Sequence, residues 1–144
     1  MIPARLSLAT LGARDVAALR SFYERLGWTT ESTADDFAAF PLGGAVLAIY
    51  DASKLAEEAG SAEPPPAPGA FKGFTLAINV DREEQVAEAI AAAREAGATI
   101  LAEPVKREWG GCSGYFADPD GNAWEVAWLP GAEFDERGAL IWPF

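Results

Sequence analysis

The sequence has no histidine and only one cysteine, Cys112, among its 144 residues. The absence of histidine excludes a Ser-His-Asp triad and removes one of the commonest metal ligands. A single cysteine cannot form an internal disulfide, which suits a reducing compartment, so we expect a cytoplasmic protein. Because no histidine is present to act as its base, Cys112 is interpreted as a small buried residue rather than as a reactive thiol.

Basic residues and long apolar runs are also scarce. The chain has 11 lysine and arginine residues and 22 aspartate and glutamate residues, which gives a formal net charge of −11. A surface of this charge repels phosphate backbones, so we expect no nucleic-acid partner. The acidic residues are scattered, and they serve solubility or attract cationic small molecules. No apolar run approaches the ~20 residues that span a bilayer, and the N-terminal residues lack a signal-peptide pattern, so we expect no membrane association.

The first half of the chain follows a strand, helix and strand pattern. Residues 5–11 are typical of a strand, and Asp15 is placed to cap the helix that follows. Apolar residues then recur at helical spacing until Gly27, which favours a left-handed stop. Three short strands are predicted next, at 28–31, 36–41 and 45–50.

The second half repeats this order. A strand is predicted at 71–80, and Asp81 and Glu84 have the spacing of a capping box at the start of a helix that ends at Gly97. Further strands are predicted near 98–105, 113–117 and 123–128. Each helix needs a sheet face on which to bury its apolar stripe. The sequence therefore predicts an α+β fold of two βαβββ modules that form a curved mixed sheet around a cleft, with the helices outside.

These patterns divide a single domain, 1–144, into modules and connections. Module 1 covers about 5–51 and module 2 about 70–130, joined by a linker at 52–69. The linker is rich in proline and acidic residues, and its first part is predicted to form a short helix. The tail at 131–144 ends in an apolar run, so we expect it to pack on its own chain or on a partner.

The stretch 109–128, WGGCSGYFADPDGNAWEVAW, is typical of two strands joined at the Asp118–Gly121 turn, with Glu125 in the second strand. This stretch resembles the last hairpin of the glyoxalase, bleomycin-resistance and extradiol-dioxygenase superfamily, also called vicinal oxygen chelate proteins. Asp118 and Asp120 look like a chelating pair, but Asp-Pro-Asp-Gly is first a turn sequence, and we assign them to structure. The resemblance covers residues 5–130 and implies either a metal-dependent enzyme or a protein that sequesters a small molecule.

Strand alternation indicates which side chains face the cleft. In the last strand the large Trp124, Val126 and Trp128 suit the helix side, which turns Glu125 inward between two alanines. Aromatic side chains near the cleft could offer flat faces to a planar ligand. Trp109 could instead simply pack over the Gly110-Gly111 bend. The candidate ligand-binding residues are Leu8, Thr10, Phe40, Ala48, Tyr50, Thr75, Trp109, Tyr115 and Glu125.

The resemblance also implies where a metal would bind, one ligand coming from each of four strands. The matching positions are Leu8, Ala48, Thr75 and Glu125, and only the last has a ligand typical of the superfamily. We therefore predict no metal and no cofactor, and a glyoxalase I or extradiol dioxygenase reaction is disfavoured.

Two classes of function remain. The first is a non-catalytic protein, most simply a homodimer, that binds a small organic molecule such as a cationic or aromatic antibiotic or metabolite. The second is a metal-independent isomerase or lyase in which Glu125 acts as the catalytic base with Tyr50 or Tyr115. Metal-dependent lyase or dioxygenase chemistry would need ligands from the substrate or another subunit. Glu125 could also be structural, held by Thr75 or a water, and Arg107 and Lys106 are expected to be solvated unless they meet an anionic ligand.

Overall fold

The computed structural model describes residues 1–31, 34–63 and 66–142. The chain forms two compact units, Met1–Pro65 with Glu136–Ala139, and Pro66–Asp135 with Leu140–Phe144. The elements of the first unit are β1 (Leu8–Ala13), α1 (Val16–Arg25), β2 (Phe37–Pro41), β3 (Val46–Asp51) and α2 (Ala52–Glu58). Those of the second are β4 (Leu76–Asn79), α3 (Glu84–Ala96), β5 (Thr99–Lys106), β6 (Cys112–Ala117), β7 (Ala123–Trp128), β8 (Glu133–Phe134) and β9 (Leu140–Ile141).

Both main sheets are mixed. In the first unit the strand order is β1-β3-β2, with β1 parallel and β2 antiparallel to β3. In the second it is β4-β7-β6-β5, with only the β4–β7 pair parallel. Helix α1 packs on β2 and β3, and α3 packs on β5, β6 and β7. The predicted α+β fold is confirmed.

Helix α1 has the capping and stripe that its sequence predicts. The Asp15 side chain accepts a hydrogen bond of 2.9 Å from the Ala18 amide. The stripe buries Leu19, Phe22 and Tyr23 completely, and each such side chain contributes about 1.5–3 kcal/mol through the hydrophobic effect. Gly27 follows the helix with a φ of 92°, the left-handed conformation expected of it.

Three local predictions are wrong. Residues 28–31 are not a strand, because the Trp28 ring stacks on Tyr23, with 5.2 Å between centroids, and draws the chain back onto α1. The capping box at Asp81 does not form, because α3 begins later and the Arg82 amide instead donates to the Gln85 side chain at 2.9 Å. The strand predicted at 71–80 is limited to β4.

The linker forms the predicted short helix, α2, and its position is fixed at several points. Asp51 caps it by accepting from the Lys54 amide at 3.0 Å. A Cβ placed on Gly12 of β1 would lie 3.3 Å from Ala52, so the helix approaches this strand closely. Gly12 shares its face of the sheet with Tyr50, and the Tyr50 hydroxyl donates to Glu58 at 2.8 Å. Helix α2 therefore covers one end of the sheet face that is opposite α1.

The tail packs in part on its own chain. Strands β8 and β9 pair with each other. A Cβ on Gly43 would lie only 2.3 Å from the Arg137 carbonyl oxygen, and one on Gly44 would lie 2.9 Å from the Ala139 Cβ. Trp142 remains 67% exposed. Among the described residues, no helix has the length and the apolar character that crossing a membrane requires.

Candidate functional site

The strand register of the second unit places Glu125 beside Tyr115. Four residues on four strands form one row across the sheet, in the order Ala77, Glu125, Tyr115 and Ala102. Directly paired residues point to the same side of a sheet, and the side chains of neighbouring strands lie close together there. A carboxylate and a phenol are therefore adjacent in a row that otherwise holds alanines.

The face that carries this row is the one that α3 does not cover, called here the helix-free face. The alternate residues Trp124 and Val126 are 3% and 0% exposed and point the other way. On that other side a Cβ at Gly114 would lie 3.0 Å from Ile90 of α3, so the helix packs directly onto it. The prediction that Glu125 points away from the helix is therefore correct. Its side chain is half-buried.

Tyr115 is electrostatically coupled to its neighbours. Burial raises the pKa of the Tyr115 hydroxyl above its usual 10.0, and the nearby Glu125 carboxylate, through its proximity and its negative charge, raises it further. Arg107 opposes these effects, since its guanidinium carbon lies 5.8 Å from the centre of the Tyr115 ring. A phenol is protonated at neutral pH, and the upward direction of the shift keeps the Tyr115 hydroxyl a hydrogen-bond donor into more alkaline solution.

Arg107 is held in place by the β5–β6 connection. Its amide donates to the Gly111 carbonyl at 2.8 Å, which closes the turn. Its side chain donates from Nε to the Ser113 hydroxyl at 2.8 Å and from Nη2 to the Ser113 carbonyl at 3.4 Å. Ser113 is only 1% exposed, so its end of the anchor is buried, while Arg107 itself is half-buried. Sequence reasoning expected Arg107 to be solvated unless it meets an anionic ligand; in the structure its side chain is half-buried and is also hydrogen-bonded to Ser113.

Trp109 lies at the tip of the same turn and is 51% exposed. Its ring lies so close to Gly111 that a Cβ there would come within 1.8 Å of the Trp109 Cζ3 atom and 2.2 Å of the Trp128 carbonyl oxygen. The tryptophan therefore packs over a glycine bend, as one of the two sequence interpretations had it, while half of its surface remains available to a ligand.

Four candidates belong to the first unit and share the sheet face opposite α1. Thr10 of β1 pairs with Ala48 of β3. Leu8 lies two residues before Thr10 and Tyr50 lies two residues after Ala48, so both point to the same face. Leu8 is 49% exposed, but Ala48 is fully buried. The Tyr50 ring also contacts Phe37 edge-on, with 6.2 Å between centroids. The hydrogen bond to Glu58 raises the pKa of Tyr50.

Phe40 lies on the opposite face of that sheet and needs correction as a ligand-binding candidate. It pairs with Leu47, and both side chains are buried under α1. The Phe40 ring lies 5.8 Å from Tyr23 and 6.4 Å from Trp28, measured between centroids. A fully buried ring among other rings is part of the core.

Thr75 lies one residue before β4 and is exposed. If the alternation of β4 extends back to Thr75, its side chain points to the same helix-free face as Ala77. The neighbour that interacts with Glu125 is Tyr115, however, rather than the threonine that one interpretation proposed.

The residues at the four implied ligand positions do not fit a metal ion. Leu8 and Ala48 end in carbon, Thr75 offers only a hydroxyl, and Glu125 is the single carboxylate. Within residues 1–31, 34–63 and 66–142, no three cysteine, aspartate or glutamate side chains converge as a metal site would require. No step of a mechanism can be built on a protein-bound metal from this set.

The aspartates of the β6–β7 turn have a structural role, as the turn sequence predicts. Asp118 is 3% exposed, and its Oδ1 accepts from the amides of Asp120 at 3.0 Å and Asn122 at 2.9 Å. Its Oδ2 accepts from the Asn122 side chain at 2.8 Å. Lys72 donates to the Asn122 side-chain oxygen at 2.8 Å, and this bond connects the segment before β4 to the β6–β7 turn. These bonds position the start of β7 and therefore Glu125.

Comparison with known proteins agrees with this geometry. The sequence pattern of the Glyoxalase/Bleomycin resistance protein/Dioxygenase superfamily matches residues 5–126. The chain belongs to this superfamily. The resemblance that the last hairpin suggested is confirmed, and the superfamily's diversity of activities leaves the individual function open.

Solved structures of superfamily members are similar over nearly the whole chain. A glyoxalase-related enzyme from Fulvimarina pelagi is 31% identical with a TM-score of 0.87, and the match covers 97% of this chain and 99% of that one. A glyoxalase/bleomycin resistance protein/dioxygenase from Nocardioides is 26% identical with a TM-score of 0.72, covering 91% and 87%. Lactoylglutathione lyase from Agrobacterium tumefaciens shares the fold at 22% identity and a TM-score of 0.66, covering 88% and 95%. No curated protein sequence matches the chain.

Proposed function

We propose that this superfamily member binds a small organic molecule at the helix-free face of the second sheet, without a metal. The pairing of Glu125 with Tyr115 carries the proposal. Removing a carboxylate from water costs free energy unless a partner compensates its charge. A carboxylate with a purely structural role would not need to remain accessible to solvent. Here the carboxylate and phenol stay partly accessible, and small alanines flank them. Small residues leave room for a ligand, and a few polar groups among apolar ones are typical of ligand sites.

The chemistry of the pair indicates the ligand class. The Glu125 carboxylate accepts hydrogen bonds, most strongly from a protonated amine. The Tyr115 hydroxyl can donate, because a phenol keeps its proton at neutral pH. An aromatic or otherwise planar body suits the apolar surroundings and the half-exposed Trp109. A cationic aromatic antibiotic or metabolite combines these properties.

Mapping by nuclear magnetic resonance tests the site directly. Benzylamine and related aromatic amines are titrated into uniformly labelled protein while backbone amides are followed. The expected result is saturable shifts that concentrate in β6 and β7, around Tyr115 and Glu125. Shifts concentrated on the α1 or α3 surface, or no saturable shift with any aromatic amine, would overturn the proposal.

Metal-independent proton transfer is the second candidate, and the same pair favours it. Glu125 would take a proton from a carbon beside a carbonyl group, while the Tyr115 hydroxyl donates a hydrogen bond to the oxyanion that forms. Return of the proton from Glu125 to a neighbouring carbon completes an isomerisation with no other reactant. The similarity to a protein described as a glyoxalase-related enzyme also supports an enzymatic function. Saturable binding with no product after long incubation would reject this candidate.

We further propose that the protein acts as a cytoplasmic homodimer and that it contributes to antibiotic resistance by lowering the free ligand concentration. Large apolar side chains remain exposed in each unit, among them Leu6 in the first and Leu101 in the second, and exposed apolar surface supports association. Light scattering on the eluting protein should give twice the monomer mass. A monomer at all concentrations would reject the dimer.

A further inference from the structure

The helix-free face carries a cation as well as the carboxylate. The Arg107 guanidinium carbon lies 5.8 Å from the centre of the Tyr115 ring, and Glu125 is the cross-strand partner of Tyr115. The arginine is not free to move away, because its Nε and Nη2 atoms are both occupied by Ser113, which is almost fully buried. The remaining edge of the guanidinium is fixed in direction by these bonds. A positive group and a negative group therefore both neighbour one tyrosine.

Within the described part of the chain, Arg107 forms no salt bridge with a carboxylate. Its contacts are with a serine and a tyrosine, which are both neutral at pH 7. Four other basic side chains do form ion pairs with carboxylates: Arg20, Lys54, Arg94 and Lys106. An anchored arginine with no acidic partner has donors in the planar geometry that suits a carboxylate or phosphate.

We propose that Arg107 determines specificity at this site by binding an anionic group of the ligand. This inference rests on the proposed function and narrows its ligand class. The ligand has two ends: a hydrogen-bond donor or cation that meets Glu125, and a carboxylate or phosphate that meets Arg107. Its body lies across Tyr115. A purely cationic ligand would leave Arg107 without an anionic partner.

Three probes of the same ring size separate these interactions. Para-aminomethylbenzoate carries both charges, benzylamine lacks the anion, and para-methylbenzoate lacks the cation. Calorimetry with the wild-type protein should show para-aminomethylbenzoate binding about tenfold more tightly than benzylamine, the ratio that one added charge-assisted hydrogen bond produces. Arg107→Gln should remove this advantage while leaving benzylamine within about twofold.

Further variants separate recognition from folding. Arg107→Lys keeps the charge but not the planar donors and should retain part of the preference. Ser113→Ala removes the hydroxyl that holds Arg107 Nε, although the backbone carbonyl remains, and should weaken only the probes that carry an anion. Arg82→Gln is the control, since this exposed arginine at the start of α3 makes the same change in net charge. Thermal melts should show all four variants folded.

The outcomes distinguish this inference from the proposed function. If benzylamine binds but para-aminomethylbenzoate binds no more tightly, the assignment of Arg107 is wrong although the site stands. The assignment is equally wrong if Arg107→Gln weakens both probes alike. If no probe binds the wild-type protein, the proposed function fails, and the assignment of Arg107 fails with it.

Discussion

Tyr115 of β6 and Glu125 of β7 are direct cross-strand partners on the face of the sheet that α3 leaves uncovered. The alternate residues of both strands, Phe116 and Trp124, stack under the helix with 6.3 Å between ring centroids. The same alternation that builds the core therefore presents a phenol and a carboxylate together on the other side. The candidate site is a direct consequence of how this hairpin packs.

Replacing Glu125 should lower the pKa of Tyr115. In Glu125→Gln the negative charge is gone, so the pKa should fall toward 10.0 but remain above it, because burial is the largest cause of its elevation. Titration of the tyrosine ring carbons by nuclear magnetic resonance measures this change. Tyr50 is an internal control, since Glu58 rather than Glu125 raises its pKa. An unchanged Tyr115 pKa would show that the two groups are not coupled.

The raised pKa of Tyr115 should make the protein less stable at high pH. The folded state holds this proton more tightly than the unfolded state, so the stabilisation is complete below the unfolded pKa of about 10 and is lost as pH rises through the folded value. Denaturant unfolding of wild type and Tyr115→Phe from pH 8 to 11 measures the effect. The variant should lose less stability over this interval. An equal or larger loss in the variant would contradict the assigned shift.

Phe40 should matter for stability and not for binding. Phe40→Leu leaves space among Tyr23 and Trp28 and should lower the free energy of unfolding by about 1–3 kcal/mol. Its affinity for benzylamine should stay within about twofold of wild type. The Phe40 ring is buried in the core of the first unit, whereas the proposed site lies on the sheet of the second unit. Denaturant melts and calorimetry provide the two values. A tenfold loss of affinity in a folded variant would restore Phe40 to the ligand-binding residues.

Zinc, nickel and iron(II) should bind weakly. Three of the four positions that would supply ligands hold Leu8, Ala48 and Thr75, so Glu125 alone gives too few donors for tight coordination. Native mass spectrometry after incubation with each metal, together with elemental analysis, should find no stoichiometric metal. Addition of a chelator should leave the melting temperature unchanged. One metal retained per chain would show that the assigned ligand positions are wrong.

Much of the fold could be predicted because local patterns and packing agree. Apolar spacing located α1 and α3, and large residues in alternate positions of β7 identified the face that packs on α3. The residue types at 28–31 are compatible with a strand. The chain packs differently there because Trp28 stacks on Tyr23, and this tertiary contact could not be predicted from local sequence. The division of 1–144 into modules within a single domain stays a prediction.

The candidate site could be predicted only in part. Alternation is a property of one strand, and it correctly turned Glu125 away from the helix. The partnership with Tyr115 depends on register between strands, which one sequence does not specify. Arg107 was missed as an anchored group for the same reason, since its bond to Ser113 spans a turn whose shape depends on Trp109 and Gly111. Phe40 was misplaced because its strand holds alanines and phenylalanines on both faces.

Calorimetric titration of benzylamine into wild type, Glu125→Gln and Glu88→Gln tests the central claim most directly. Both variants remove one carboxylate charge, but Glu88 is exposed on α3, away from the helix-free face. The Glu125–Tyr115 site predicts that Glu125→Gln weakens binding by about tenfold or more, the loss of one charged hydrogen bond, while Glu88→Gln leaves the affinity within about twofold. Equal affinity in the wild type and Glu125→Gln, with both proteins folded, would contradict it.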